Sequence, residues 1–428
     1  MKIIQFIKEV FNKNETSFIL FCLGLFLLPS AVSISILLFL VSNILINFKL
    51  KKEPFKDKII LFFFIGCILL IISALTQSFT QQYPSQYEYK LSLTWLGLAN
   101  WLPLIWCFSL FKNNLLNARR RRICGLILIS GTFPIIATGI GQAFLNWHGP
   151  FQTLNGLITW YQRPIDGITG LTGLFNNPNY AGAWLTIIWP FCLLTFIIPK
   201  KNKLKKISAI LFSFSISISI ILTNSRAAWL GLLIGTIIIY GRKSYKYLVP
   251  ILLFISLIIT SSLLPIFGST IQELFINIIP NNILMEFSDF QISRIDIWQS
   301  GIKYVMTNPL FGSGASSFSG IYQLETGLWK GHSHNLFLEL MVSYGIPAGI
   351  MIFTPILYVA YKSTKLLFKK DLRLASYDKA WITGLLIFLI TQMVDVQYFD
   401  ARISLVGWIL LAGCTNIIRD NLYYEKNI

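Results

Sequence analysis

Between Lys58 and Glu88 the chain carries no charged residue, and IILFFFIGCILLIISAL at 59–75 is almost wholly aliphatic and aromatic. A run of this length can bury itself only in a bilayer. There no water satisfies the backbone, so it must be an α-helix with its N–H and C=O groups paired internally. Comparable runs recur along the whole chain. Spans are expected near 17–29, 31–48, 58–76, 91–111, 123–145, 179–198, 207–223, 226–241, 247–265, 335–361, 380–394 and 402–418. The expected fold is an all-α integral membrane protein of about twelve transmembrane helices, with a large outer loop before the third-last span. Mean hydropathy of +0.64 agrees, as do 54% hydrophobic and 13% charged residues. The basic N-terminal flank has no small-residue cleavage site after the first apolar run, so a retained first helix is expected.

The net charge of +18 falls in short clusters between apolar runs, which argues for membrane lipids and against nucleic acid as the partner. With the N-terminus inside, 29 of 36 Lys and Arg lie on the inner side and every inner loop is basic. Both termini are therefore expected in the cytoplasm. The other seven are Lys90, Arg163, Arg226, Arg294, Lys303, Lys330 and Arg402, and all three histidines join them outside. Two outer segments are long, 146–178 and 266–334. Both are expected to pack over the mouth of one polytopic domain, 1–428, rather than fold alone. All six cysteines lie in apolar runs, so no disulfide and no cysteine metal site is expected.

Few groups are left to carry chemistry. No G-x-x-x-x-G-K-[ST] stretch is present, which removes a P-loop ATPase, and hardly any acidic residue lies within the spans. Arg226 sits in LTNSRAAWLG, at a tight outer turn where an arginine is not expected from charge bias. Arg294, Trp298 and Gly301 share one face of a helix ended by Asn308-Pro309. The stretch Gly312-Ser313-Gly314 then allows close backbone approach to a ligand. In GHSHNLFLEL, His332 and His334 are two apart, so on a helix they would point to different sides. A catalytic zinc needs three protein ligands, and no third is evident, so no metal is expected. A neutral imidazole at a helix N-terminus is the better general base, with Asn335 and Glu339 one turn away for polar contact. Asn177-Pro178-Asn179 starts another outward-facing span.

The order of these pieces resembles the O-antigen ligase and O-antigen polymerase superfamily of membrane glycosyltransferases. N-P-N, S-R-x-x-W-L-G and R-x-x-x-W…NP-L-x-G-x-G precede H-N-x-x-L-E, over about residues 172–350. The resemblance implies transfer of a glycan from undecaprenyl diphosphate to an acceptor hydroxyl. The carrier would lie on the periplasmic face of a bacterial inner membrane, and no cofactor or metal would be needed. It implies that Arg226 and Arg294 hold the diphosphate and that His334 is the general base. Trp298, His332, Asn335 and Glu339 would contact substrate, with His332 auxiliary. Asp395 and Arg402 resemble polar residues of the last spans less distinctly and are given no role in chemistry. Partners implied are the lipid-linked donor, a lipid or glycan acceptor, and other envelope polysaccharide assembly proteins. Some members of the superfamily carry a bicarbonate-transporter label, so an anion transporter is the alternative. Ligase and polymerase, which share these residues, stay open.

Overall fold

The computed structural model describes residues 13–45, 57–80, 91–165, 169–199, 201–263, 268–278, 294–369 and 374–426. The basic cluster at 49–56, Lys90 and the stretch 279–293 of the large outer loop lie outside them. Helices α1 (Lys13–Leu27) and α2 (Val32–Leu45) form a hairpin. The Ser17 and Ser42 hydroxyls lie 3.0 Å apart and each donates to the other's carbonyl at 2.8 Å. Then come α3 (Lys58–Thr80), α4 (Ser92–Leu98), α5 (Leu102–Asn114), α6 (Ala118–Gly131) and α7 (Phe133–Leu145). The expected spans 91–111 and 123–145 are thus each two helices. In both the second helix has proline in its first turn, Pro103 in α5 and Pro134 in α7. Proline fits there and disfavours helix in the residue before it.

Strands β1 (Phe151–Thr153) and β2 (Ile158–Trp160) are a small departure from the all-α expectation. Leu154, Asn155 and Gly156 all have positive φ, the backbone a tight hairpin turn demands. The hairpin is fastened to the bundle, since the Trp160 indole donates to the Ser30 carbonyl at 2.7 Å. The chain continues through α8 (Pro178–Ile197), α9 (Lys203–Leu222), α10 (Arg226–Tyr240) and α11 (Tyr245–Leu263). Within the segment 266–334, expected to be an outer loop, lie α12 (Ser269–Ile278), α13 (Arg294–Thr307) and α14 (Ser317–Thr326). The last four helices are α15 (Leu336–Tyr344), α16 (Ile346–Phe368), α17 (Ser376–Gln392) and α18 (Ala401–Lys426).

Among the described residues seven helical stretches are long and apolar enough to cross a membrane. They are Lys58–Thr80, Ser92–Asn114, Ala118–Leu145, Pro178–Ile197, Lys203–Leu222, Ile346–Phe368 and Ala401–Leu422, with shorter apolar helices beside them. Helices α8 and α18 are buried along most of their length, whereas α9 is mostly exposed. A central post of α8, α17 and α18 is thus surrounded by helices that present side chains to lipid. Small residues let the posts approach closely: a Cβ on Gly182 of α8 would meet the Ala228 Cβ of α10 at 2.6 Å.

The expected span 335–361 needs correction. It is a helical hairpin, not one helix. Gly345 takes φ +87°, and a Cβ there would meet the Leu310 carbonyl oxygen at 2.3 Å. The chain folds back at that point, so Phe337 stacks edge-on against Phe353 at 4.9 Å and Gly349 faces Met341. Gly312, at φ +65°, approaches this turn: a Cβ on it would meet the Tyr344 nitrogen at 2.5 Å. Ser313 and Gly314 donate their N–H groups to Val342 and Ser343. Gly312 thus serves a close chain-to-chain approach. On the outer side of the hairpin, Ile297, Tyr304 and Val305 of α13 join Phe318 and Tyr322 of α14. Together they form a small apolar cluster on Leu338 and Val342 of α15.

Candidate active site

α17 runs antiparallel to α8, because Gly384 lies against Ile187 while Trp381 stacks on Phe191. α10 runs parallel to α8, with Gly182 against Ala228, Gly231 against Thr186 and Gly235 against Trp189. The end of α17, the start of α8 and the start of α10 therefore meet at one end of the bundle. Arg226, first residue of α10, is at that end, below a turn capped by the Ser225 hydroxyl.

The loop after α17 carries Asp395, and α15 starts beside it. Asn335 caps α15 by accepting the Leu338 N–H at 3.0 Å, and its amide donates to the Met393 carbonyl at 3.1 Å. This fastens the histidine loop to the loop of Asp395. His334, just before the cap, is held at φ +53°, a left-handed conformation uncommon for a residue with a Cβ. The bend turns its ring to Asp395, with His334 Nδ1 2.8 Å from Asp395 Oδ1. On the other side Glu339, fully buried, accepts the Ser333 N–H at 2.8 Å and braces the same loop.

The two histidines do not diverge. They precede the helix, so helical spacing does not govern them. Their rings pack edge-to-face with centroids 4.5 Å apart, and His332 Nε2 is 3.9 Å from Asp395 Oδ1. Asp395, given no role from the sequence, is the centre of the cluster, and this corrects that reading. Its other oxygen accepts from Gln397 Nε2 at 3.0 Å, and Gln397 is held by Gln392 through two further hydrogen bonds. Burial alone would raise the Asp395 carboxyl. The bond from His334 and the charges of His332, His334 and Arg294 outweigh it, holding the group below the usual carboxylate range. Asp395 is therefore ionised at neutral pH and can only accept, so His334 Nδ1 carries a proton. In the neutral ring Nε2 keeps its lone pair.

His332 differs from its neighbour. Burial pushes it down to about 4, with the positive charge of Arg294 and His334 adding to the fall and Asp395 opposing it. Its Nδ1 accepts the His334 backbone N–H at 3.2 Å, so the ring proton of neutral His332 sits on Nε2, towards Asp395. Ligand atoms of His332, His334 and Asp395 all lie within 4.8 Å of one another, a set that could hold a transition metal. The missing third ligand of the sequence reading is thus Asp395. The hydrogen bonds favour a different use, because His332 would have to surrender its Nε2 proton or its Nδ1 bond to ligate.

Arg294 opens α13, and its charge reaches His332 and Asp395. Trp298, one turn on, packs against the apolar cluster of α13 to α15 rather than joining the ionisable groups. Its buried indole N–H has no hydrogen-bond partner among the described residues. Arg402 is tied down: it clamps Asp400 through Nε at 2.9 Å and Nη2 at 2.5 Å, with its guanidinium 3.8 Å from the Phe175 ring centre. Asn177, of the N-P-N stretch, is a helix cap accepting the Asn179 N–H at 2.8 Å. The signal that could have found Asp395 was present in the sequence: a lone carboxylate just past the end of an apolar run.

This geometry sits among matching sequence relatives. Residues 210–353 match the family model of the O-antigen ligase. Over 192 residues the chain is 26% identical to the ComP-specific O-oligosaccharyltransferase of Acinetobacter baylyi (strain ATCC 33305 / BD413 / ADP1). That match covers 42% of this chain, which spans about a third (33%) of the relative's length. The segment matched by that family model holds Arg226, Arg294, both histidines and Glu339, so the similarity to the O-antigen ligase falls on the part of the chain that carries the cluster.

Proposed function

We propose that the protein transfers a glycan from a polyprenyl diphosphate carrier, undecaprenyl diphosphate in the bacterial inner membrane, to an acceptor hydroxyl. One observation carries the reading: His334 bonds Asp395 through Nδ1 and leaves Nε2 to take a proton. Asp395 orients the ring and stabilises its charged form, as a carboxylate does in a hydrolase triad. His334 Nε2 takes the proton of the acceptor hydroxyl while that oxygen forms a bond to the anomeric carbon. The bond from this carbon to the diphosphate oxygen breaks, and the leaving diphosphate gathers negative charge. Arg226 and Arg294 meet that charge from the mouth of the bundle, where fixed guanidinium groups do the work required. No metal enters this step. Inner-loop basic charge supports a periplasmic site and cytoplasmic termini.

The name of the Acinetobacter relative supports transfer of an oligosaccharide; the acceptor here is a hydroxyl on lipid, glycan or protein. The test is surface glycan analysis in a deletion strain complemented with His334→Ala or Arg294→Ala. Both variants should lose glycan attachment or extension while accumulating in the membrane at normal levels. Normal glycans from both would end this proposal. In the deletion strain itself, single repeat units indicate a polymerase and unattached long chains a ligase.

A further inference from the structure

At the opposite end of the bundle, α6, α8, α9 and α17 surround a cavity of about 610 Å³. This is within the range of small-molecule sites. Much of its wall is apolar, with Leu126, Ile129, Ala209 and Phe212 among the residues that form it. The polar side chains on that wall are already satisfied. Thr195 and Tyr377 bond each other at 2.9 Å, and Ser208 donates to the Leu204 carbonyl at 2.9 Å. At the rim stand Arg122, Lys201 and Lys205, all exposed. None of the three makes an ion pair with a carboxylate among the described residues, although neighbouring Arg120 and Arg121 do. Arg122 rests over the Tyr377 ring at 5.7 Å, which points its charge along the cavity mouth.

An apolar slot with satisfied walls and a rim of three unneutralised cations matches an amphiphile with a negative head and a hydrocarbon tail. A sugar would find few partners on such walls, and a soluble anion would have no use for the slot. The cations also belong to basic clusters that the charge count assigns to the inner side, where anionic lipid is plentiful. We infer that this cavity binds an anionic glycerophospholipid of the inner leaflet, its phosphate held by Arg122, Lys201 and Lys205 and one acyl chain between α6 and α9. The site is remote from His334 and owes nothing to the glycan chemistry.

The experiment is native mass spectrometry of the full-length protein in mixed micelles of phosphatidylglycerol and phosphatidylcholine. The unaltered protein should retain phosphatidylglycerol at least about tenfold over phosphatidylcholine. Arg122→Gln with Lys201→Gln and Lys205→Gln should abolish that preference. The charge-preserving set Arg122→Lys, Lys201→Arg and Lys205→Arg should keep it. Lys243→Gln with Lys362→Gln and Lys365→Gln removes equal charge elsewhere and should leave it intact. Ala209→Phe, which fills the slot beneath an unchanged rim, should release the lipid. Soluble glycerol 3-phosphate should not compete. The inference is overturned if the unaltered protein shows no preference or if the rim-neutralised variant keeps it. It is equally overturned if the remote charge set abolishes the preference, or if glycerol 3-phosphate displaces the lipid.

Discussion

One helix carries a carboxylate at each end, and the two are used in opposite ways. Asp378, in the first turn of α17, receives Arg121 through two bonds of 2.7 and 2.8 Å, and both side chains are almost wholly buried. Arg121 also donates to Asp420 of α18 at 2.9 Å and to the Leu115 carbonyl at 3.2 Å, so α6, α17 and α18 are pinned at one point. There one guanidinium is shared by two carboxylates, and it cannot leave without stranding them. Asp395, past the other end, meets two imidazoles, each able to be neutral and each mostly buried. A guanidinium cannot release its proton, so the first cluster can only hold. An imidazole can, so the second can also react. The ion pair is a staple, and the histidine pair is a tool held by the same post.

Substitutions at the two ends should separate activity from stability. His334→Ala should lower glycan transfer by about 10²–10⁴-fold, the usual worth of a general base, with normal unfolding in detergent. Arg121→Ala should do the reverse. It strands Asp378 in the interior and should cost about 3–5 kcal/mol of stability, read by unfolding, while turnover per folded molecule is kept. If Arg121→Ala reduced turnover at unchanged stability, the contrast between the ends would be wrong. Asp395→Asn should fall between them, losing about 10²-fold of activity because the ring loses its charged anchor, without the instability of Arg121→Ala.

Acidity probes the pair more gently. His332 titrates near 4 in the folded protein and near its ordinary 6.5 when unfolded. Below 6.5 the unfolded chain takes a proton that the native ring refuses, so stability is full above that pH and falls progressively towards 4. Asp395, lowered in the folded protein, adds a loss that begins as pH falls through the usual carboxylate range and continues below it. Melting curves at stepped pH should show the decline in the unaltered protein and a flatter profile in His332→Gln. Equal slopes would remove His332 from the account. Within the histidine cluster the smallest effect on transfer should be that of His332→Ala, about tenfold or less, since its ring supports His334 without facing the acceptor.

Much of the molecule was legible before any coordinates. Apolar runs located most of the helices because a bilayer tolerates little else. Arg294 and His334 stood out as polar groups where positive charge or a base is otherwise unexpected, and the charge of Arg294 does reach the pair. What escaped was long-range or conformational. Nothing local joins Asp395 to residues sixty positions earlier; only the fold-back of α15 does. That fold-back was hidden because the apolar pattern runs unbroken across Gly345, and only Gly345-Ile346-Pro347 marks it. Helical spacing misplaced the histidines because a left-handed residue at 334 lies outside any helix. The strands were missed because three-residue segments leave little periodicity to read.

Under the proposed transfer, the hairpin of α15 and α16 bears on which acceptor could be served. α15 has nine residues, and at 1.5 Å per residue its start lies roughly 14 Å along the helix from the turn at Gly345. His334 stands at that lower end, where Leu336 packs among Phe353, Leu385 and Phe388. For the proposed transfer, a hydroxyl in the middle of a stiff, branched chain would reach that end less readily than a hydroxyl on a slender, projecting end. Selection by reach would thus operate before any sugar is recognised, favouring termini over interior positions whatever their chemical identity.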